Sequence, residues 1–173
     1  MKPNEPEIPA PSAPTAVTFQ VPSISDGRRL WEIARDSREL DLNSSYAYVL
    51  WCRDFQNTSI VALVDGRVCG FVTGYIRPER PDTLVVWQVA VDAEQRGKRI
   101  AGQLLDGLLD RLAPDVSRME TTISPGNAAS IALFTGTAGR RGLEIKSEPL
   151  FGPADFPDSH EPEDLYILAA PPR

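Results

Sequence analysis

Apolar positions along the chain follow two rhythms, and their alternation sets the expected fold. From Ile100, the residues Leu104, Leu105, Leu108, Leu109 and Leu112 recur at helical spacing. A shorter stripe of Leu30, Ile33 and Ala34 predicts a helix over Asp26–Ser37, which Ser25 is placed to cap. Tyr46, Val49 and Leu50 predict the inner side of a further helix, capped by Asn43, Ser44 or Ser45 and ending at Phe55. Runs of β-branched and aromatic residues predict strands at Val17–Val21, Thr58–Val64, Arg67–Ile76 and Thr83–Val91. Asp65-Gly66 between two of these runs is a strong hairpin signal. Arg77–Asp82 reads as a stiff, charged connection into Thr83–Val91.

Ala113-Pro114-Asp115 ends the leucine-rich helix, and Arg118–Ile123 then reads as a parallel strand reached by a crossover. Ser124-Pro125-Gly126-Asn127 is a turn ending in a helix cap, followed by a helix from Ala128 to about Arg140 with Gly142 at its C-terminal end. Leu143–Leu150 and Leu165–Ala169 are the last strands, separated by a polar, proline-rich loop. The order β-α-α-β-β-β-α-β-α-β-β is mixed α/β in a single domain over residues 17–173. Residues 1–16, rich in Pro, Glu, Ser and Ala, are expected to form a disordered leader.

A chain of 173 residues with 42% hydrophobic and 24% charged residues can bury a sizeable core. Its net charge of −6 argues against nucleic acid or an anionic membrane as the main partner. An acidic field instead favours a cationic small molecule. No apolar run is long enough to span a bilayer and no signal-peptide core is visible, so the expected location is the cytoplasm. Cys52 and Cys69 lack metal-ligand spacing and read as reduced, buried thiols; a single histidine makes a zinc hydrolase implausible, and no metal site is expected.

Against that acidic background, one basic turn stands out. The apolar run Trp87–Val91 passes through Asp92-Ala93-Glu94-Gln95 into Arg96-Gly97-Lys98-Arg99, and the leucine-rich helix starts at once with Ile100-Ala101-Gly102. Unpaired N–H groups and the helix dipole favour an anion at such a start, and three cationic side chains add to it. A pyrophosphate is therefore the expected ligand. The G-x-x-x-x-G-K-[ST] nucleotide loop is absent, and so is the G-x-G-x-x-G spacing of a dinucleotide fold.

Val91, Arg96, Gly97, Lys98, Ile100 and Ala101 resemble motif A of the GCN5-related N-acetyltransferases, the GNAT superfamily. Arg99 departs from the glycine usual there. The resemblance implies the GNAT fold, with a mixed sheet whose central parallel strands splay, and acetyl-CoA as co-substrate. It also implies main-chain pairing of Val89 and Val91 with the pantetheine arm, with Arg96, Gly97, Lys98, Arg99, Ile100, Ala101 and Gly102 around the diphosphate. Asn127, Ser130 and Phe134 would flank the same arm. The family often has a proton-donating tyrosine where Phe134 stands, which leaves Tyr46 or a water as the acid. Acetyl transfer also needs a base for the ammonium and an N–H for the thioester oxygen. Asp41, Glu163 and His160 are the candidate bases.

Leu40–Tyr48, Tyr75–Leu84, Val86–Asp92, Thr122–Asn127 and His160–Tyr166 are similar to the diaminobutyrate acetyltransferase family of the ectoine pathway. That resemblance implies a small cationic diamino acid as acceptor and a homodimer, and it assigns Asp41, Tyr46, Trp87, His160 and Glu163 to substrate binding. Asp41 and Glu163 suit ammonium groups, and Trp87 offers a π face. Arg77 or Arg80 is a candidate for the substrate carboxylate. Two other readings stay open: a GNAT enzyme for another small amine, and a non-catalytic module that binds acyl-CoA.

Overall fold

The structure, a computed structural model, describes residues 16–172. The leader expected over residues 1–16 lies outside them except for residue 16. The elements follow the expected order: β1 (Val17–Gln20), α1 (Gly27–Ser37), α2 (Ser45–Asp54), β2 (Ile60–Val64), β3 (Arg67–Arg77), β4 (Arg80–Val91), α3 (Ile100–Leu112), β5 (Arg118–Ile123), α4 (Ala128–Arg141), β6 (Glu144–Phe151) and β7 (Glu163–Ala169). They build a seven-stranded sheet in the order β1-β2-β3-β4-β5-β7-β6. Every pairing is antiparallel except that of β4 with β5.

Helices cover both faces. On one, α1 and α2 bury Leu30, Ile33, Ala34, Tyr48 and Cys52 against Val61, Val68, Phe71 and Ala90. On the other, the leucines of α3 and Phe134 and Ala138 of α4 pack on Ile60, Ala62, Val72, Leu84, Val86 and Met119. A bulge interrupts the alternation of β3: Ala62 pairs with Gly70 but Leu63 with Val68, so Cys69 is an extra residue. Val68 and Phe71, three apart, both pack with α1 and α2, while Cys69 and Val72 join the α3 side. Both cysteines are free and buried, and burial pushes the Cys52 thiol up to about 12. Among the described residues, no helix is long and apolar enough to cross a membrane.

Three local expectations are corrected. Ser23 rather than Ser25 closes the entry to α1: its N–H and hydroxyl both donate to Asp26 Oδ2, at 2.7 and 2.9 Å, around a short 3₁₀ turn. The inner side of α2 is Tyr48 and Cys52, and Tyr46 and Val49 lie outside at 70% and 38% exposure. Tyr48 wins that competition because its ring meets Phe71 edge-on at 6.3 Å and Trp87 at 6.4 Å. Finally, Arg77–Asp82 is no long connection, because β3 runs to Arg77, β4 begins at Arg80, and a tight turn joins them.

The feature that shapes everything nearby is a bulge in β4. Thr73 pairs with Gln88 but Gly74 pairs with Val86, so Trp87 is the extra residue. The slip reverses which side chains face which layer. Before it Leu84 and Val86 point to the α3 core; after it Val89 and Val91 do, and Ala90 faces α1. Gly74 sits opposite, and a Cβ there would come within 2.8 Å of the Val85 carbonyl oxygen and 3.0 Å of that of Thr58. Gly74→Ala is expected to lower stability by about 1–3 kcal/mol through this overpacking. Urea unfolding measures it, and an unchanged midpoint would contradict the tight packing at the bulge.

Candidate active site

β4 and β5 pair only from Thr83–Val85 with Arg118–Glu120. Just beyond, Thr121 Oγ1 donates to the Val86 carbonyl at 3.1 Å, a side chain replacing the next rung of the ladder. The strands then separate. Asp92 N–H donates to Cys69 on β3 at 2.8 Å, so by alternation the main-chain groups of Val89 and Val91 face the gap. Only the Val91 carbonyl finds a side chain, Arg96 Nε, at 3.4 Å. The gap opens into a cleft of about 720 Å³.

Residues far apart in the chain line this cleft. Asp41, Trp87, Val89, Asn127, Ser130, Phe134, His160 and Glu163 all do. Two loops form its lips, and they touch: His160 Nε2 lies 2.9 Å from Asp41 Oδ2. The other ring nitrogen, Nδ1, lies 2.6 Å from the Glu161 carbonyl oxygen. Both partners only accept, so the ring satisfies both by carrying two protons. The Glu161 carbonyl first, and the Asp41 carboxylate second, raise its pKa above the ordinary 6.5. The Phe156 ring stacks on His160 at 4.1 Å and holds its plane.

Glu163, at the start of β7, accepts a hydrogen bond from Ser124 Oγ at 3.0 Å through Oε1. Trp87 is half wall and half core: it lines the cleft while stacking on Trp51 at 4.2 Å. Asn127 caps α4, its Oδ1 accepting from Ser130 N–H at 3.1 Å, and still reaches the cleft. Phe134 is 3% exposed and has no proton to give.

Tyr46 is not among the lining residues, since it sits on the solvent side of α2 at 70% exposure. Arg77 is committed elsewhere: its Nη1 lies 2.9 Å from Glu120 Oε2, and Arg118 holds the other oxygen of that buried carboxylate. Neither Arg77 nor Arg80 lines the cleft, where His160 is the basic side chain among Glu39, Asp41, Glu161 and Glu163.

The basic turn lies at the far end of β4, outside the cleft lining. Gly97 takes φ 77°, a left-handed conformation that favours glycine, although a Cβ there would touch nothing. Arg99 is left-handed too, at φ 61°, with its side chain in solvent; it keeps the main-chain course a glycine would take. Arg96 Nη1 lies 3.4 Å from Glu39 Oε1, and Lys98 Nζ donates to Gln95 at 2.8 Å. Ile100 is buried in the core, and Ala101 packs beside it. At Gly102, in the first turn of α3, a Cβ would fall 2.9 Å from Arg140 Nη2, so the glycine also admits the α4 guanidinium. Sequence reasoning missed Gln88, Ser124, Tyr75 and Glu39, which also line the cleft.

The acetyltransferase (GNAT) family profile matches residues 27–139. The chain belongs to the GNAT family. Among GNAT proteins it is 56% identical over 152 residues to the L-2,4-diaminobutyric acid acetyltransferase of Nocardia farcinica, covering 87% of this chain and 79% of that one. It is 57% identical over 151 residues to the protein of the same name from Streptomyces coelicolor, covering 85% and 89%. A solved structure of diaminobutyrate acetyltransferase EctA from Paenibacillus lautus, in complex with its substrate L-2,4-diaminobutyric acid and coenzyme A, matches with a TM-score of 0.86 and 38% identity. That match covers 90% of this chain and 96% of the other.

His160 is the one histidine of the chain, so its ring signals stand alone in a proton NMR titration. Because both acceptors stabilise the charged ring, it is expected to hold its proton to a pH above 6.5 and lose it as pH rises further. Asp41→Asn is expected to lower the midpoint without abolishing the elevation, since the Glu161 carbonyl remains. A midpoint at or below 6.5 in the unaltered protein would contradict the contact geometry.

Proposed function

We propose that this GNAT enzyme transfers the acetyl group of acetyl-CoA to the γ-amine of L-2,4-diaminobutyrate, giving N4-acetyl-2,4-diaminobutyrate. The observation that carries the reading is the convergence of Asp41, Trp87, His160 and Glu163 in one acidic cleft beside the open edge of β4. The relatives named above support the choice of acceptor.

The Asp41–His160 pair is a complement for the α-end of an amino acid. The positive charge of the His160 ring, whose two N–H groups go to Asp41 and Glu161, attracts the substrate carboxylate electrostatically, and the free oxygen of Asp41 takes the α-ammonium by a charge-assisted hydrogen bond. Fixing both α groups at the lips leaves the γ-amine to reach inward. Acetyl-CoA brings the activated thioester. The unpaired edge at Val89 and Val91 suits an amide-bearing arm laid along it as an added strand, and the start of α3 with Arg96, Lys98 and Arg99 suits its diphosphate.

Glu163 is the proposed base. Ser124 occupies Oε1, leaving Oε2 to accept a proton from the γ-ammonium. Asp41 is tied to His160, and a doubly protonated His160 has no lone pair for the task. The neutral amine attacks the thioester carbon, and its oxygen is held by a main-chain N–H of β4 at the bulge. As the tetrahedral intermediate collapses, the C–N bond stays, the C–S bond breaks and its electron pair leaves on sulfur. The nitrogen sheds its second proton as the amide forms, and the thiolate is protonated through water, which that proton restores, because Phe134 has none to give and Tyr46 lies outside. The family resemblance adds a cytoplasmic homodimer and a place in ectoine synthesis, hence osmoadaptation, to the proposal.

Thiol release with a panel of amines tests it. Turnover is expected with L-2,4-diaminobutyrate, with NMR of the product placing the acetyl group on the γ-nitrogen. Preference for a polyamine or aminoglycoside, or binding of acetyl-CoA without turnover, would overturn it. Glu163→Gln is expected to lower kcat by about 10²-fold, within the range for loss of a general base, with little change in the KM for acetyl-CoA.

A further inference from the structure

Gln88 plays no part in the reading above, yet its surroundings are unusual. It is 5% exposed, inside an otherwise apolar run of β4. The bulge at Trp87 puts two successive side chains on the same face, so Trp87 stacks on Tyr48 and Trp51 while Gln88 turns toward the loop above α2. There Nε2 donates to the main-chain carbonyl of Asp41 at 3.0 Å. A carbonyl only accepts, which fixes which end of the amide points to the loop. The other end, Oε1, is buried without a well-formed hydrogen bond among the described residues; the Tyr48 hydroxyl, also without one, neighbours both this side chain and Asn43.

A buried acceptor without a partner costs stability. The Gln88 amide therefore adds little to the core, and its one bond goes to the segment carrying Asp41. That segment is otherwise held by Leu40, which packs on the α1–α2 core, and by the contact of Asp41 with His160. Asn43 Nδ2 reaches the same carbonyl at 3.3 Å from within the loop, and Glu39 meets Arg96 only at 3.4 Å on an exposed surface. Gln88 is the side chain that anchors this carbonyl to the sheet.

We propose that Gln88 is a positioning residue for the amino-acid substrate: it fixes the main chain of Asp41, and thereby the carboxylate that meets His160 across the cleft. The proposal rests on the functional reading above for its kinetic consequences but not for its structural ones. Gln88 touches neither the substrate nor the reacting atoms in this scheme and acts through Asp41.

Gln88→Met keeps the length of the side chain and removes the donor; Gln88→Leu serves if that variant does not fold. The expected result is a rise of about tenfold in the KM for L-2,4-diaminobutyrate, the size of one lost hydrogen bond, with the KM for acetyl-CoA changed less than about twofold. The thermal midpoint should fall little, because the orphan acceptor leaves with the amide. In the NMR titration the His160 midpoint should drop toward that of Asp41→Asn. In the Asp41→Asn background, Gln88→Met should add less than about twofold to the KM. An unchanged diaminobutyrate KM, an equal rise in both KM values, an effect that multiplies with Asp41→Asn, or a His160 midpoint that does not move would each overturn the proposal. The titration needs no substrate. Failure of the wild-type protein to acetylate diaminobutyrate would sink the functional reading and leave this arm able to judge Gln88 by itself.

Discussion

The short pairing of β4 with β5 is the constraint from which the rest follows. Three residues of each strand are in register, and then the sheet parts. Parting a parallel pair in the middle of a sheet exposes main-chain donors and acceptors that a fold normally satisfies. Two local devices make it tolerable. The bulge at Trp87 bends β4, with Trp87 stacked on Trp51 of α2, and Thr121 supplies a hydroxyl to the Val86 carbonyl where the ladder ends. What remains is an open strand edge, and a ligand carrying amides is the natural complement to it. The enzyme's co-substrate site is thus a defect in the sheet, held open by the cores on either side.

The same opening separates two electrostatic environments. Arg96, Lys98 and Arg99 gather at the start of α3, where the helix dipole adds to their charge. The cleft itself carries Glu39, Asp41, Glu161 and Glu163 with His160 as counter-charge. A polyanionic tail and a dicationic acceptor are each drawn to opposite ends, so they approach the gap from different sides. Glu120 shows how cationic charge is diverted from the cleft. Its buried carboxylate takes both Arg77 and Arg118, the arginines nearest the splay.

Much of this was legible before any coordinates, for definite reasons. The strand, basic turn and leucine-rich helix form one continuous stretch, so their signal is local. The Asp65-Gly66 hairpin was legible because its backbone demands those residues: both are left-handed, at φ 51° and 75°. The side of α2 was misread because aromatic and aliphatic residues stand on both registers of that helix, and only the stack with Trp87 decides between them. The packing of Gly102 against Arg140 was not legible, because a small residue at a helix start suits an anion and a neighbouring guanidinium equally well. Gln88 was invisible. Simple alternation from Leu84 and Val86 would place it in the α3 core, and only the bulge, a tertiary event, turns it to a loop 47 residues away.

Departures from ordinary backbone and hydrogen-bond geometry are not scattered at random over the described residues. Asp65 is left-handed because a hairpin needs it and Arg38 because it is the left-handed C-cap of α1, whereas Arg99 takes that conformation without such a turn; for a non-glycine residue it costs about 1–2 kcal/mol. Arg38 directs the chain into the Glu39–Asn43 lip, and Arg99 opens the helix beneath the basic turn. The buried polar atoms without partners are Tyr48 Oη, Gln88 Oε1 and Asp106 Oδ1. Asp106 lies among Arg140 and Arg141, whose charge compensates it. The other two lie under the same lip. Strain of this kind persists only where the surrounding fold over-determines it, and here α1, α2 and the bulged β4 do so together. A sequence optimised for stability alone would straighten β4 and make position 88 apolar; it would also lose the open edge and the fixed Asp41.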